Sequence, residues 1–277
     1  MLNAELEVAV VRGERSIQTV RRALELIGGV SRLSGKPVLI KVNFITTKTW
    51  DTGATTDPIV VEALIRELQP INKSLYVVES DATFTNADKA ARATGVLDLC
   101  EKYGVPFINL TKVKEKVMVK LDSPETLSKI KLPRIVLESR IVSAAKMKTH
   151  EETKVTLGMK NMFGLMPNKL KMRYHVKGIE KVIVDINSVV RPTLTVIDGF
   201  VALEGKGPVS GTPVRMDLVV AGWDAVATDA AASMIMGFNP NDIYHIKRAA
   251  DRGMGRIEGF KVVGERIQSV ARAFKRS

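Results

Sequence analysis

One cysteine, Cys100, and three histidines, His150, His175 and His245, are all the thiol and imidazole that the 277 residues offer. A single thiol excludes an internal disulfide and cannot hold a zinc ion or an iron–sulfur cluster unaided. Cys100 lies in Val96-Leu-Asp-Leu-Cys-Glu-Lys-Tyr, an amphipathic helical pattern, and reads as a buried structural residue. Aromatic residues make up only 5% and no nucleic-acid-binding motif stands out, which argues against nucleic acid as the partner. Long apolar runs are missing too: Ile135–Leu137 and Leu218–Gly222 fall far short of the ~20 residues that span a bilayer. The first residues, Met1 to Glu7, carry early acids and no apolar core of a leader. No membrane partner is therefore expected, and the expected location is cytoplasmic.

What is present is ordinary for a globular chain: 45% hydrophobic and 26% charged residues. The length suits one large domain or two small ones. Lysine and arginine number 42 against 30 acids, a net charge of +12. That balance admits anionic partners, whether nucleic acid, lipid or phosphorylated ligands. The basic residues are densest at 112–120, 146–177 and 266–276, and only the middle stretch also carries histidines.

Short apolar runs at Leu6–Val11, Pro37–Val42, Leu75–Glu79, Val105–Leu110, Ile141–Ala145, Leu194–Ile197 and Met216–Ala221 alternate with helical spacings of about ten residues. Such alternation predicts an α/β fold with a mainly parallel sheet flanked by helices. The chain reads as one domain over 1–277, or as two α/β lobes, about 1–121 and 130–277, with a crevice between them and an excursion near 122–128. Lys116–Leu121 and Ile135–Leu137 read as strands, Thr156–Phe163 as a helix, and Arg266–Phe274 as a basic terminal helix. In a parallel sheet the ligand crevice lies beyond the carboxyl ends of the strands, which is where Asn43 and Asp81 fall.

The densest chemistry is Lys146-Met-Lys148-Thr149-His150, continuing to Lys160-Asn161-Met-Phe-Gly164. Lysines, hydroxyls and amides in that density suit an anion. Lys160 and Asn161 interrupt an apolar run, so Lys160 is either snorkelling or a desolvated, functional amine. A second group follows an apolar strand: Asp198-Gly199, then Glu204-Gly205-Lys206-Gly207-Pro208, whose glycines permit close backbone approach or simply turn the chain. Asp224 and Asp229 open and occupy an alanine-rich helix; Asp224 serves equally as a helix cap.

These segments resemble the family named domain of unknown function 362. The stretches that carry the resemblance are Lys41-Val-Asn43, Thr55-Thr-Asp-Pro58, Lys148-Thr-His150, Lys160-Asn-Met-Phe-Gly164, Val196-Ile-Asp-Gly199, Glu204-Gly-Lys-Gly-Pro208 and Asp224-Ala-Val-Ala-Thr-Asp229. Some members of that family add ferredoxin-like cysteine clusters; this chain lacks the cysteines for one. The order His150, Lys160, His175 also looks like the catalytic region of nickel-dependent lactate racemase. That resemblance implies Lys160 holding a nickel-pincer nucleotide, His175 as a nickel ligand and His150 moving protons, with hydride exchanged with an α-hydroxy acid. The glycine-rich sequence that surrounds the racemase lysine is absent here. The expected function is thus an enzyme of proton or hydride transfer on a small anionic metabolite, Lys148, Thr149, Lys160, Asn161, Gly205 and Gly207 holding its cofactor. The alternatives are a binding module for a nucleotide or other phosphorylated ligand, and nucleic-acid binding through the basic surface.

Overall fold

The computed structural model describes residues 6–276, so the expectation about a leader falls partly outside it, in residues 1–5. The strands are β1 (Glu7–Arg12), β2 (Val38–Lys41), β3 (Leu75–Glu79), β4 (Phe107–Asn109), β5 (Lys116–Lys120), β6 (Lys129–Pro133), β7 (Arg140–His150), β8 (Lys154–Thr156), β9 (Leu194–Glu204), β10 (Thr212–Gly222) and β11 (Lys261–Gly264). Nine of them form one sheet in the order β11-β1-β10-β9-β7-β2-β3-β4, with β8 hairpinned onto β7. The pairs β2–β3, β2–β7, β3–β4, β7–β9 and β1–β11 are parallel, while β10 runs against β9 and β1. Strands β5 and β6 make a separate antiparallel pair. Segments from both stretches read as lobes thus enter the same sheet.

Alternation builds its two faces. In β1, Val8 and Val10 join one core cluster and Ala9 and Val11 the other; in β2, Leu39 parts from Val38 and Ile40 in the same way. A strand buried on both faces reads as such a continuous apolar run. The face of Ala9 and Val11 is covered by α1 (Ile17–Leu26), α2 (Pro58–Leu68), α3 (Ala87–Ala93) and α4 (Val96–Tyr103). The other is covered by α5 (Arg134–Glu138), α6 (Gly158–Asn161), α7 (Met172–Val176), α8 (Ile179–Val189), α9 (Ala225–Ile235), α10 (Tyr244–Asp251) and α11 (Ile267–Val270). Asp57 caps α2 by accepting from the Ile59 N–H, with Pro58 in the first turn, and Cys100 is buried in α4.

Five expectations need correction. Ile135–Leu137 is a turn of helix in α5, because an apolar run of three does not distinguish one helical turn from a strand. Strand β7 does not stop at Ala145 but continues to His150, and β9 does not stop at Ile197 but continues to Glu204. Buried polar residues inside these strands imitate strand ends. The stretch 156–163 starts as the last residue of β8, and α6 begins only at Gly158. The basic C-terminal stretch is helical only over Ile267–Val270; from Ala271 it is extended and pairs with α9, Arg272 N–H donating to Ile235 and Phe274 N–H to Met236.

Candidate functional site

From β2 the chain crosses to β3 on one side, and from β7 it crosses to β9 on the other. That divergence is a topological switch point, where open α/β sheets hold their ligands. A cavity of about 600 Å³ lies there, lined by residues at or past the carboxyl ends of β2 and β3, by the end of β7, and by α6 and α7. Four lysines line it: Lys41, Lys148, Lys160 and Lys171.

Lys41 is fixed. Its ammonium donates to Glu79 at 2.8 Å, to Asn161 Oδ1 at 3.1 Å and to the Val42 carbonyl at 2.5 Å. Asn161 donates in turn to the Lys41 carbonyl and to Ser143 Oγ, which ties α6 to β2 and β7. Gly164 allows this packing: a Cβ there would collide with Lys41 Nζ and lie 2.7 Å from Glu79 Oε1. Among the described residues the other three amines make no ion pair of their own, although Glu152 acts on Lys160 and Glu79 on Lys148 and Lys171 from farther off. Lys148 donates to the Ala54 carbonyl at 2.7 Å, and Lys171 to Ser80 Oγ at 2.7 Å. The Lys160 amine donates to no described residue. Burial pushes Lys160 down to about 7 and Lys171 down to about 8. Lys148 is held well below the usual lysine range by burial and then by Lys160 and Lys146. Two buried oxygens at the same cavity, Asn43 Oδ1 and Thr156 Oγ1, have no hydrogen-bond partner.

His150 and His175 share the cavity, their rings stacked with centroids 6.4 Å apart. His150 Nδ1 accepts the Glu152 N–H at 3.1 Å, which places the proton of the neutral ring on Nε2. Burial first, then Lys160 and Lys148, hold His150 down to about 2. His175 Nδ1 meets the Glu152 carboxylate at 2.5 Å. Among the described residues no group of three or more His, Cys, Asp or Glu is arranged to hold a metal ion.

Of the residues singled out in the sequence, Asn43, Lys148, His150, Lys160, Asn161 and His175 line this cavity. The others do not. Thr149 Oγ1 donates to the Gly205 carbonyl, and a Cβ on Gly207 would collide with the Thr149 carbonyl oxygen, so these residues pack against one another outside the cavity lining. Asp198 is paired with Lys146 at 2.8 Å, both side chains fully buried. Glu204 anchors the C-terminal stretch through the Lys275 N–H and Arg272. Asp81 accepts from the Ala87 N–H and Asn109 at the start of α3. Asp224 caps α9 and faces a separate cavity of about 200 Å³. Asp229 accepts from the Gly158 and Met159 N–H groups at 2.8 Å each. His245 is fully buried on α10, 3.5 Å from Glu180. Sequence reasoning missed Glu79 and Lys171 and gave Lys41 no role. A charged residue closing an apolar strand, as Lys41 and Glu79 do, is a signal that was there to be read.

The chain is 27% identical over 236 residues to the thylakoid-associated protein sll1697 of Synechocystis, the match covering 82% of this chain and 72% of that one. A solved protein of Thermotoga maritima is 15% identical with a TM-score of 0.47, covering 82% of this chain and 61% of its own. The sequence profile of domain of unknown function 362 matches residues 38–234, well over half of the chain. The chain belongs to the family of domain of unknown function 362.

Proposed function

We propose that the protein binds a small anionic metabolite at the switch-point cavity and acts on it by proton transfer. The observation that carries this reading is the set of three amines, Lys148, Lys160 and Lys171, that share one cavity and make no ion pair among the described residues. A carboxylate or phosphate supplies the missing charge, and burial makes that interaction stronger than it is in water. Lys160, held at about 7, is half charged at neutral pH, where an acid–base group works best. Neutral His150 offers an Nε2–H donor. An anion seated among the lysines offsets the repulsion from Lys160 and Lys148 and raises its basicity.

Anion binding is read as a rise in melting temperature with inorganic phosphate or a 2-hydroxy acid. Turnover is read as deuterium exchange from solvent into the hydroxy acid's α-carbon. Stabilisation that is lost in Lys148→Met, together with exchange that is lost in Lys160→Met, supports the reading. Stabilisation without exchange for any acid tried leaves a binding module for a phosphorylated ligand. No stabilisation by any anion ends the proposal.

One observation favours a cofactor at the same place: Lys160, His150 and His175 line a single cavity and the Lys160 amine donates to no described residue. A nickel-pincer nucleotide would be attached at Lys160, with His175 toward the metal and the other lysines toward its phosphate. It would supply a hydride acceptor. The described residues offer no protein-only metal site, so the organic group would have to bring most of the metal's ligands. Intact mass and peptide mapping of protein from its native host decide this: an adduct on Lys160 with stoichiometric nickel supports it, and an unmodified, metal-free chain removes it. Nucleic acid is the weakest reading, because Lys41, Lys146, Lys148 and Lys171 are buried and add nothing to the outer basic surface. A cytoplasmic location is proposed alongside; no described helix is long and apolar enough to cross a membrane, and the Synechocystis relative is named for its association with thylakoids.

A further inference from the structure

Seven large apolar side chains are exposed among the described residues: Ile71, Phe84, Met118, Leu170, Met172, Val176 and Tyr244. Four of them, Phe84, Leu170, Met172 and Val176, belong to the two segments that frame the mouth of the cavity. Phe84 is 94% exposed on the loop after β3, and Val176 is 91% exposed at the end of α7. Phe84 and Met172 both line the cavity. Met172 and Val176 are four residues apart on α7, so they share its outer face. The inner side of this segment is Lys171, which reaches Ser80, and Tyr174, whose ring meets Phe163 edge-on with centroids 5.7 Å apart. The segment is thus anchored from within and leaves its apolar residues in water.

The charge within the 165–178 segment has one sign. From Leu165 to Gly178 there is no acid, and Lys169, Arg173 and Lys177 are exposed between the apolar residues. The nearest acids on the rim are Glu151 and Glu152, and Glu152 is engaged with His175. Exposed apolar side chains interleaved with cations, on a segment that carries no acid itself, are complementary to a surface that is anionic at its face and apolar just beneath. Nucleic acid would use the cations but leave four apolar side chains unexplained. An acidic protein would need a matching shape, for which one turn of helix and one loop tip offer little area.

We infer that the rim formed by Phe84 and by Leu170–Lys177 docks on the surface of an anionic lipid bilayer, with the mouth of the cavity toward the membrane. The contact is peripheral: apolar tips enter the interface, the basic side chains meet headgroups, and no segment crosses. It needs no chemistry in the cavity, and it holds whether or not the proposed proton transfer takes place.

The test is co-sedimentation of the full chain with vesicles of phosphatidylcholine alone and of phosphatidylcholine mixed with phosphatidylglycerol. The wild type is expected on the anionic vesicles, with binding that falls as salt rises and little on the neutral ones. The double variant Leu170→Ser/Val176→Ser and the double variant Lys169→Ser/Lys177→Ser are each expected to bind about tenfold more weakly or worse, because each cation or apolar tip at such an interface contributes several-fold in affinity. Both pairs are exposed residues that do not line the cavity, and matched melting temperatures confirm that the variants fold. Met118→Ser, an exposed apolar residue on β5, is expected to bind as the wild type does. Absence of binding to anionic vesicles overturns the inference. So does undiminished binding of the two double variants, or an equal loss on Met118→Ser.

Discussion

At the scale of single residues the site is governed by desolvation. Lys160, half-buried in the cavity wall, sits at about 7 and has an unfolded value near 10.5, so the folded chain carries the cost of desolvating its charge below about pH 7 and sheds it as the pH rises toward about 10.5. Lys160→Met removes that cost. It is therefore expected to raise the urea midpoint most at pH 6 to 7, with the gain shrinking as the pH rises toward about 10. A gain that is the same at every pH would mean that the amine is not titrating in this window. His150 is held at about 2. Its ring signals are expected to stay in the neutral form down to about pH 4 in a ligand-free NMR titration, and a midpoint near 6.5 would show an ordinary solvated imidazole. The same burial that keeps His150 neutral costs stability as the pH falls below 6.5, where the unfolded ring takes a proton that the folded one refuses.

At the scale of elements, α6 is a single turn and cannot hold itself. Asp229 on α9 supplies what it lacks by accepting two N–H groups at its start, and Asn161 ties its other end to Lys41 and Ser143. Asp229→Ala leaves two buried N–H groups without an acceptor and is expected to cost about 3 kcal/mol in urea unfolding. It should also alter the labelling rate of Lys160 by an amine reagent, since Lys160 rides on that turn. A loss of stability with unchanged Lys160 labelling would show that α6 is positioned by Asn161 alone. Elements also decide what could be read in the sequence. The strands β1, β2 and β3 were legible because their residues are apolar without interruption, and the cap of α2 was legible in Asp57-Pro58. The strands β7 and β9 were cut short because Lys146 and Asp198, which satisfy one another at 2.8 Å, look like loop residues one at a time. Pairing across 52 positions leaves no local trace in the sequence. The cavity was half legible for the same reason: His150, Lys160 and His175 crowd one stretch of sequence, whereas Glu79 and Lys171 join them only through the sheet order.

At the scale of the whole molecule, the buried and half-buried amines of the cavity should reshape the dependence of stability on pH. The unfolded chain binds more protons than the folded one between about 7 and 10.5 for Lys160 and between about 8 and 10.5 for Lys171, and Lys41 and Lys148 are shifted in the same direction. Stability therefore rises with pH across that range. Asp229, raised to about 7, acts oppositely and only lower down: the folded chain holds its proton between about 3.8 and 7, so stability falls as the pH rises through that window. The net charge of +12 also relaxes as lysines lose protons. The expected profile at low salt climbs from neutrality toward about pH 9.5, where many proteins already decline. An anion held by the cavity needs charged amines, so the added stability from phosphate, relative to chloride at equal ionic strength, should be larger at pH 7 than at about pH 9.5. Urea midpoints at the two pH values in the two salts measure both effects at once. A profile that falls from pH 7 upward would show that the amines are solvated, and an equal phosphate increment at both pH values would place the anion on the outer surface instead of among Lys148, Lys160 and Lys171.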